Sequence, residues 1–354
     1  MSAKKEPAPS PEEVAAEMDR LSGRGLGDLG YSDEELERIA GLTWRINRLK
    51  REVQAVIPAH VYQRAEVLHG VSDYSGDSYK LAKDCVGTKA KHIIFCGVRF
   101  MAETAKILNP DKDVHLPAAE AGCSLSESIT AADVRKLKAK HPGLPVAVYI
   151  NTSAEVKAEC DVVVTSANAV KILKKLYAKH ERIIFIPDEM MGKNLARDLG
   201  KKVGTEMVIW EGRCIVHDNF DAESVNLYRK MYPGVKILAH AECSPSLTSL
   251  VDMVGGTGDM MRFVEGTKAR SYMLVTECGL GDLARTRFPE KLFVPMCRLC
   301  PYMKATTLER ILECLRGIDK PSAATRIMVP SETAQRARHS VERMFELAED
   351  KAQS

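Results

Sequence analysis

The stretch IIFIPDEMMGKNLAR at residues 183–197 decides the fold. It begins with a short apolar run, continues through a polar turn and ends in a segment with apolar residues at helical spacing. The stretches IIFCGVRFMAETAK at 93–106 and YMLVTECGLGDLAR at 272–285 have the same organisation, and their apolar runs recur every 90 residues. Short buried strands that are each followed by an amphipathic helix are typical of parallel α/β units. The sequence therefore predicts an α/β protein built from three similar units.

The bulk composition is that of an ordinary globular protein. The chain has 354 residues, of which 45% are hydrophobic and 28% charged, and its formal net charge is +3. This balance gives no sign of a nucleic-acid partner or a membrane surface. The N-terminus lacks the apolar region of a secretory signal, and no apolar run approaches the ~20 residues of a membrane span. We therefore expect a cytoplasmic protein whose ten cysteines are reduced thiols rather than a disulfide framework.

Three cysteines recur with nearly the same period as the strands. Cys123, Cys214 and Cys300 lie in the segments AGCSL, GRCIVH and RLCPYM, at separations of 91 and 86 residues. A pseudo-threefold arrangement of the repeats would bring these loops together, and three converging thiolates suit an iron–sulfur cluster with one open iron. Zinc is the alternative, although zinc ligands usually come in close pairs. The pattern favours Cys300 as a ligand and Cys297 as its neighbour, with a regulatory Cys297–Cys300 disulfide as a hypothesis.

Two further kinds of segment recur along the chain. Polar side chains follow apolar runs in AHVYQ (59–63), VAVYINTS (146–153) and KILAHAEC (236–243). Small residues and hydroxyls open helices in SGDSYKLA (75–82), TSANAVKIL (165–173) and GGTGDMMRF (255–263). A single turn of this kind needs no functional explanation, because turns in general favour Ser, Thr and Gly. Three in register indicate anion sites in a shared cleft, because free N–H groups and the dipole point outward at a helix N-terminus.

These segments together resemble the quinolinate synthase family. The resemblance runs from about Ile57 to the C-terminal helix and rests on AHVYQ, SGDSYKLA, CGVRFMAETAKIL, AGCSL, YINTSAEVKAECD, TSANAV, IIFIPDEMMGKNLA, GRCIVH, AHAEC, TECGL and CPYMK in one order. It implies three homologous three-layer αβα domains with pseudo-threefold symmetry around a central cleft, and a [4Fe–4S] cluster with three cysteine ligands. It further implies a transferase of NAD biosynthesis that condenses iminoaspartate with dihydroxyacetone phosphate to quinolinate, with release of phosphate and water.

The resemblance assigns roles to individual side chains. It implies that Tyr149, Glu242, His240 and Tyr62 are catalytic. It implies that substrate is bound by His60, Ser78, Asn151, Ser166 and Thr257. The cluster ligands that it implies are Cys123, Cys214 and Cys300, the same three that the spacing selects. A functional link to the enzyme that supplies the unstable iminoaspartate is also expected.

Two positions depart from the family pattern. The chain has Ala241 between His240 and Glu242, where the family often has proline. This change is expected to loosen the turn while keeping both side chains. The chain also has Gly256 where the family has serine, and this difference removes one hydroxyl from the anion site. Glu277 in TECGL is expected to shape a turn rather than to take part in the chemistry.

The predicted domain organisation follows from the repeat and its flanks. The first segment, 1–30, is expected to be a disordered polar extension. The next, 31–55, is predicted to form a helix that starts with a capping box at Ser32 and Glu35. The three α/β domains are placed at 56–140, 141–230 and 231–320, and a C-terminal helix in 321–354 is predicted to pack back on the core.

Two other functions fit part of the pattern. A hydro-lyase that acts on hydroxy acids would share the three cysteines and the open iron, but it would not need a phosphate site. A cluster protein for electron transfer or iron sensing would usually have four protein ligands. Such a protein would also have no use for His, Tyr, Glu and hydroxyl side chains around an open iron.

Overall fold

The protein is described here from a computed structural model, which covers residues 7–349. The strands are β1 Ala55–Val56, β2 Pro58–His60, β3 Tyr74–Gly76, β4 His92–Ile94, β5 Asp113–His115, β6 Val146–Tyr149, β7 Val162–Val164, β8 Ile183–Ile186, β9 Met207–Ile209, β10 Lys236–His240, β11 Met253–Gly255, β12 Ser271–Val275 and β13 Leu292–Val294. Helices follow most of these strands, and this alternation makes the fold α/β.

The helices range from one turn to five. They are α1 Pro11–Ser22, α2 Asp33–Glu52, α3 Ala65–Gly70, α4 Ser78–Cys85, α5 Arg99–Leu108, α6 Ala131–Lys140, α7 Ala154–Ala158, α8 Ala169–Tyr177, α9 Glu189–Leu199, α10 Ala222–Met231, α11 Pro245–Thr248, α12 Thr257–Gly266, α13 Cys278–Arg287, α14 Pro301–Lys304, α15 Leu308–Arg316 and α16 Ser331–Ala348. Short 3₁₀ helices lie at Gly27–Leu29, Ser126–Ser128 and His217–Asn219.

The strands pair in parallel. One four-stranded sheet has the order β7-β6-β8-β9 and another has the order β11-β10-β12-β13. The N-terminal part has the three-stranded sheet β1-β4-β5 and the pair β2-β3, which approach each other through a bridge between Ala59 and Cys96. The prediction of an α/β fold with parallel strands is therefore confirmed. The pseudo-threefold symmetry and the domain boundaries stay predictions.

The apolar runs that decide the fold are central strands. All four residues of β6 and of β8 are buried. Both faces of a parallel sheet are covered by helices, so its strands are apolar along their whole length. The large side chains Phe95 and Phe185 lie in the same hydrophobic cluster and are almost fully buried. This rigid interior holds the strand ends where the functional side chains lie.

The N-terminal segment is more ordered than expected. The prediction of disorder for residues 1–30 is wrong for its described part, because this part contains α1. A capping box joins Ser10 and Glu13 at the start of that helix, and Leu21 near its end is fully buried. The segment is polar on average, but its few apolar side chains lie on one face and pack against α2. Residues 1–6 of the predicted extension lie outside the described part of the chain.

Two long helices, α2 near the N-terminus and α16 near the C-terminus, pack against other helices. The capping box predicted at Ser32 and Glu35 is present at the start of α2, which packs against α1 and α15. In the C-terminal segment, α16 packs against α7 and buries Val341 and Met344. The hydroxyl of Ser340 donates to the carbonyl oxygen of Lys157 at 3.0 Å. Residues 350–354 lie outside the described part.

Within the residues described, no helix combines the length and the apolar character that crossing a membrane requires.

Candidate functional site

One cavity brings together all the side chains that are predicted to be catalytic, substrate-binding or cluster-ligating. It has about 80 Å³ of water-accessible space, enough for several ordered waters and suited to small molecules. The predicted residues that line it are His60, Tyr62, Ser78, Cys123, Tyr149, Asn151, Cys214, Ser166, His240, Glu242, Thr257 and Cys300. These residues are up to 240 positions apart in the chain, and the fold places them around one space.

Parallel topology explains why the polar side chains meet. His60, Tyr149 and His240 are the last residues of β2, β6 and β10, which lie in three different sheets. The carboxyl ends of parallel strands form the edge at which α/β proteins bind ligands. Ser78 and Thr257 are the first residues of α4 and α12, which follow the neighbouring strands. The strand ends and the helix starts therefore face one cavity.

Three thiols lie together at this cavity. Cys123, Cys214 and Cys300 are free cysteines on loops, and each is partly exposed. Burial raises the pKa of Cys123 to about 12, and the neighbouring Cys300 contributes to that rise. Burial also raises the pKa of Cys214 well above its ordinary value, with contributions from Glu242 and Cys123. Cys123 thus interacts electrostatically with each of the other two cysteines.

This donor set fits an iron–sulfur cluster. Three thiols around one cavity have little use as a structural feature, whereas a bound metal would convert them to thiolates. Three cysteines are the number that leaves one iron of a four-iron cluster without a protein ligand. A different donor group, Cys214, His217 and Glu242, places one ligand atom each within 4.8 Å of the others. In that group the imidazole and the carboxylate already bond to each other, so their proximity needs no metal ion.

Glu242 is the centre of a hydrogen-bond network. Its Oε1 accepts from the hydroxyl of Tyr149 at 2.6 Å and from the amide of Asn151 at 3.4 Å. Its Oε2 lies 2.8 Å from Nδ1 of His217. Burial opposes ionisation of this carboxyl, but His217 and His240 outweigh burial and hold its pKa below the ordinary value. Glu242 is therefore an ionised, buried acceptor.

His217 is a site residue that the sequence analysis missed. Its ring is 2% exposed, stacks on the ring of His240 with 4.4 Å between centroids, and has Nδ1 3.3 Å from Sγ of Cys214. Its Nε2 lies 2.9 Å from the hydroxyl of Thr276, which the analysis also missed. The available signal was the position of His217 in GRCIVH, three residues after Cys214.

The two predicted histidines are neutral groups in this cavity. Burial, reinforced by His240, lowers the pKa of His60 to about 3. Burial and the neighbouring His217 lower the pKa of His240 to about 4. The ring of His60 also makes an edge contact with the ring of Tyr62 at 4.7 Å. These imidazoles can therefore exchange hydrogen bonds with a substrate, but they do not supply positive charge to an anion at neutral pH.

Among the hydroxyl side chains that line the cavity, two have no hydrogen-bond partner. The hydroxyls of Thr257 and Thr165 are buried and have no partner in the structure. Both residues line the cavity beside Ser78 and Ser166. Buried polar groups are rarely left without partners, so such groups indicate a place where a ligand or water binds. Thr165 is a further residue that the sequence analysis did not select.

The structure explains what happens at the two departures from the family pattern. A Cβ atom on Gly256 would lie 2.5 Å from Oγ of Ser166, so the Ser166 hydroxyl takes the space that a serine side chain would enter. At the other departure, the backbone N–H of Ala241 donates to the carbonyl oxygen of Gly255 at 3.2 Å. Proline has no N–H and could not make this bond. Alanine therefore ties the turn to β11, and the expected loosening of the turn stays a prediction.

The cysteine pairing differs from the hypothesis. Cys297 forms a disulfide with Cys278, so the expectation of ten reduced thiols is wrong and Cys300 remains free. The chain brings the two partners together because Glu277 and Arg298 pair as a parallel bridge. Cys300 is closer to Cys297 in the sequence than Cys278 is. The disulfide instead follows the backbone pairing of Glu277 with Arg298, which places Cys278 beside Cys297.

Glu277 shapes the loop, as the sequence predicts. One carboxylate oxygen accepts from the N–H of Gly279 at 2.6 Å and the other from the N–H of Cys300 at 3.2 Å. The ammonium of Lys304 lies 3.1 Å from the same carboxylate. Glu277 thus caps α13 and fixes the backbone of a candidate cluster ligand.

Comparison with known proteins identifies relatives over most of the chain. The family model described as quinolinate synthetase A protein matches residues 44–346. A quinolinate synthase of Sinorhizobium fredii is 44% identical over 302 residues, which is 85% of this chain and 81% of that protein. A quinolinate synthase of Caulobacter vibrioides is 40% identical over 312 residues, or 87% of this chain and 82% of that protein. A quinolinate synthase of Xylella fastidiosa is 41% identical over 300 residues, or 85% of each chain.

Proposed function

Because the chain belongs to the quinolinate synthase family, we propose that it condenses iminoaspartate with dihydroxyacetone phosphate to form quinolinate, phosphate and two waters. This reaction balances without an oxidant or a reductant. It makes the enzyme a transferase that forms a carbon–carbon bond in NAD biosynthesis. The cytoplasmic location and a functional link to the enzyme that supplies iminoaspartate stay predictions.

The observation that carries the proposal is the set of side chains that line the functional cavity. Three free thiols, a buried ionised glutamate, a tyrosine and unpartnered threonine hydroxyls all line this cavity. A condensation of this kind needs proton movement next to carbonyl and hydroxyl groups, sites for carboxylates and phosphate, and an electrophilic centre. An electron carrier would need neither proton movement nor sites for carboxylates and phosphate, and a hydro-lyase would not need the phosphate site.

Glu242 and Tyr149 are the groups that would move protons. The 2.6 Å bond from the Tyr149 hydroxyl to the carboxylate holds a proton donor and a proton acceptor side by side at the cavity. Burial and the charge of Glu242 raise the pKa of Tyr149 well above its ordinary value. The phenol therefore keeps its proton and acts as a donor, while Glu242 is ready to accept a proton from carbon or nitrogen.

The substrate's anionic groups would bind at the hydroxyl side chains that line the cavity. Ser78 and Thr257 stand at the first turns of α4 and α12, where free N–H groups favour anions. Ser166 lies three residues before α8 and lines the same cavity. This binding would orient the phosphate-bearing carbon toward Glu242 and keep its leaving group away from the apolar parts of the cavity.

The residues that would hold a [4Fe–4S] cluster are Cys123, Cys214 and Cys300. When bound, such a cluster supplies Lewis-acid chemistry at the iron that lacks a protein ligand. The protein contributes to this site by fixing the ligand loops, for example through the bond from Cys300 to the carboxylate of Glu277. It also surrounds the site with buried side chains that limit access of water.

The test is an assay of the anaerobically reconstituted protein. Freshly generated iminoaspartate and dihydroxyacetone phosphate are added, and quinolinate and inorganic phosphate are both quantified. The proposal predicts equal amounts of the two products. Protein that contains a cluster but forms no quinolinate would refute it, and dehydration of a hydroxy acid by the same preparation would favour a hydro-lyase.

A further inference from the structure

Lys157 is a buried lysine that the proposed chemistry does not use. It lies on α7, is fully buried and does not line the functional cavity. Its ammonium donates to the carbonyl oxygen of Thr152 and lies over the ring of Phe100, 5.4 Å from the ring centroid. Within residues 7–349, no carboxylate forms an ion pair with this ammonium. A buried charge without an ion-pair partner is costly, so its presence needs an explanation.

The Lys157 side chain keeps its charge at neutral pH. Burial lowers the pKa of Lys157 to about 8, although Glu103 and other acidic groups nearby oppose this effect. A group with this pKa is mainly protonated at pH 7. The carbonyl oxygen of Thr152 and the face of the Phe100 ring attract the ammonium, but neither carries a negative charge. The positive charge is therefore only partly balanced, because burial also raises the pKa of Glu103.

This charge lies close to a candidate cluster ligand. Phe100, which the ammonium contacts, lines both the functional cavity and the neighbouring cleft, and Cys123 lines the same two spaces. Cys123 is also among the groups that interact electrostatically with Lys157. Lys157 itself lines neither space. Its charge therefore acts on the cavity through the protein interior, where charges are screened less than they are in water.

A bound cluster would supply the negative charge that Lys157 lacks. Cysteines bind iron as thiolates, so Cys123, Cys214 and Cys300 would bring three negative charges to the cavity. The resting core of a four-iron cluster carries only two positive charges, so the cluster with these ligands is an anion. A fixed positive charge in the protein stabilises such an anion, and stabilises it more when the cluster gains an electron. Net charge and surroundings thus set the reduction potential of the cluster.

We infer that Lys157 is the buried counter-charge of the cluster, and that its ammonium stabilises the anionic cluster from outside the cavity. This inference rests on the cluster site of the proposed function. Lys157 is a positioning residue in this sense and not a catalytic one, because it lines neither the cavity nor the cleft beside it. The alternative is that Lys157 only holds the carbonyl of Thr152 and so supports the turn before α7.

Three substitutions separate the charge of Lys157 from its hydrogen bond. Lys157→Met removes both the charge and the donor at similar length. Lys157→Gln removes the charge and keeps a donor, so it carries the test where the methionine variant does not fold. Lys157→Arg keeps the charge. Lys50→Met is the control, because Lys50 is also a buried lysine but pairs with Asp73 at 2.8 Å and lines neither space.

The main readout is the midpoint reduction potential of the reconstituted cluster, from a redox titration followed by electron paramagnetic resonance. Lys157→Met and Lys157→Gln should both shift the reduction equilibrium toward the oxidised cluster by about tenfold, the order expected for one unit charge in the protein interior. This shift lowers the potential by about 59 mV for a one-electron couple. Lys157→Arg and Lys50→Met should keep the wild-type potential. Iron content and melting temperature report cluster loading and folding separately.

Four results would overturn the inference. An unchanged potential in Lys157→Met and Lys157→Gln at full iron content would show that the charge does not act on the cluster. A shift in Lys157→Met that Lys157→Gln restores would assign the effect to the bond with Thr152. An equal shift in Lys157→Arg would show that shape matters rather than charge.

The fourth result is wild-type protein that binds no four-iron cluster, which would overturn the proposed cluster site together with this inference. A wild-type cluster whose potential does not depend on Lys157 would overturn the inference alone. The two failures are therefore distinguishable, and neither readout depends on the formation of quinolinate.

Discussion

Replacing Glu242 by glutamine tests the assignment of the proton-moving group with almost no change of shape. The carboxylate accepts on both oxygens, from Tyr149 at 2.6 Å and from His217 at 2.8 Å. Glutamine has one oxygen and one NH₂ group, so one of these two partners would face a donor instead of an acceptor. Glu242→Gln therefore keeps the packing, breaks one of two buried hydrogen bonds and removes the base.

The structure allows a magnitude for each effect. Leaving one buried donor without a partner costs about 1–3 kcal/mol of stability. Loss of a general base costs about 10²–10⁴-fold in rate, which corresponds to about 3–5 kcal/mol in the activation barrier. The effect on kcat should thus exceed what destabilisation alone produces in a protein that remains folded at the assay temperature.

The assay compares kcat, melting temperature and iron content of the wild type, Glu242→Gln and Glu103→Gln. Glu103 is a control of the same residue type, because it is half-buried and accepts from the backbone N–H of Ala154 at 2.9 Å, but it lines a neighbouring cleft instead of the functional cavity. We expect a loss of kcat in Glu242→Gln only. A Glu242→Gln enzyme with wild-type kcat and full iron content would refute the assignment of Glu242 as the base.

Three further predictions concern other parts of the molecule. Alkylation of the unfolded, unreduced chain should leave Cys278 and Cys297 unmodified and joined in one peptide pair, and detection of another pairing by mass spectrometry would contradict the structure. Gly256→Ser should displace the Ser166 hydroxyl and raise the KM for dihydroxyacetone phosphate several-fold, roughly the effect of one weakened hydrogen bond. The melting temperature of the variant checks that it is folded. An unchanged KM would show that Ser166 does not bind this substrate. Burial opposes ionisation of Asp252, but a backbone N–H and neighbouring basic side chains hold its pKa below the ordinary value. The ionised Asp252 therefore stabilises the fold above the unfolded-state pKa. This stabilisation is lost as the pH falls through the folded-state pKa. Urea unfolding should therefore show Asp252→Asn less stable than wild type at pH 7, with a difference that shrinks below about pH 4, and a difference that grows at low pH would contradict this sign.

The parts of the fold that the sequence predicts are those set by local patterns. The runs at Ile93 and Ile183 form buried parallel strands, because a strand covered on both faces is apolar along its whole length. The capping box at Ser32 marks the start of α2 through a purely local bond. In contrast, α1 was missed because its segment is polar on average, and the few apolar side chains matter only when α2 lies beside them.

The residues of the site also fall into those that the sequence could predict and those that it could not. Cys123, Cys214 and Cys300 could be selected because they recur at nearly the period of the strands, and the cavity holds all three. His217 and Thr276 have no such repeat, and their importance arises from hydrogen bonds between segments that are distant in the chain. The disulfide partner of Cys297 was unpredictable for the same reason, since the backbone pairing of Glu277 with Arg298 brings together two cysteines that are 19 residues apart.

The most direct test of the account is to count iron in cysteine variants after anaerobic reconstitution. Cys123→Ala, Cys214→Ala and Cys300→Ala are compared with Cys314→Ala, a control on α15 outside the cavity. Mössbauer spectra and iron content report the cluster independently of activity. The account predicts a four-iron cluster in the wild type and in Cys314→Ala, and its loss from each of the other three. An intact four-iron cluster in any one of Cys123→Ala, Cys214→Ala or Cys300→Ala would contradict the central claim that these three thiols hold it.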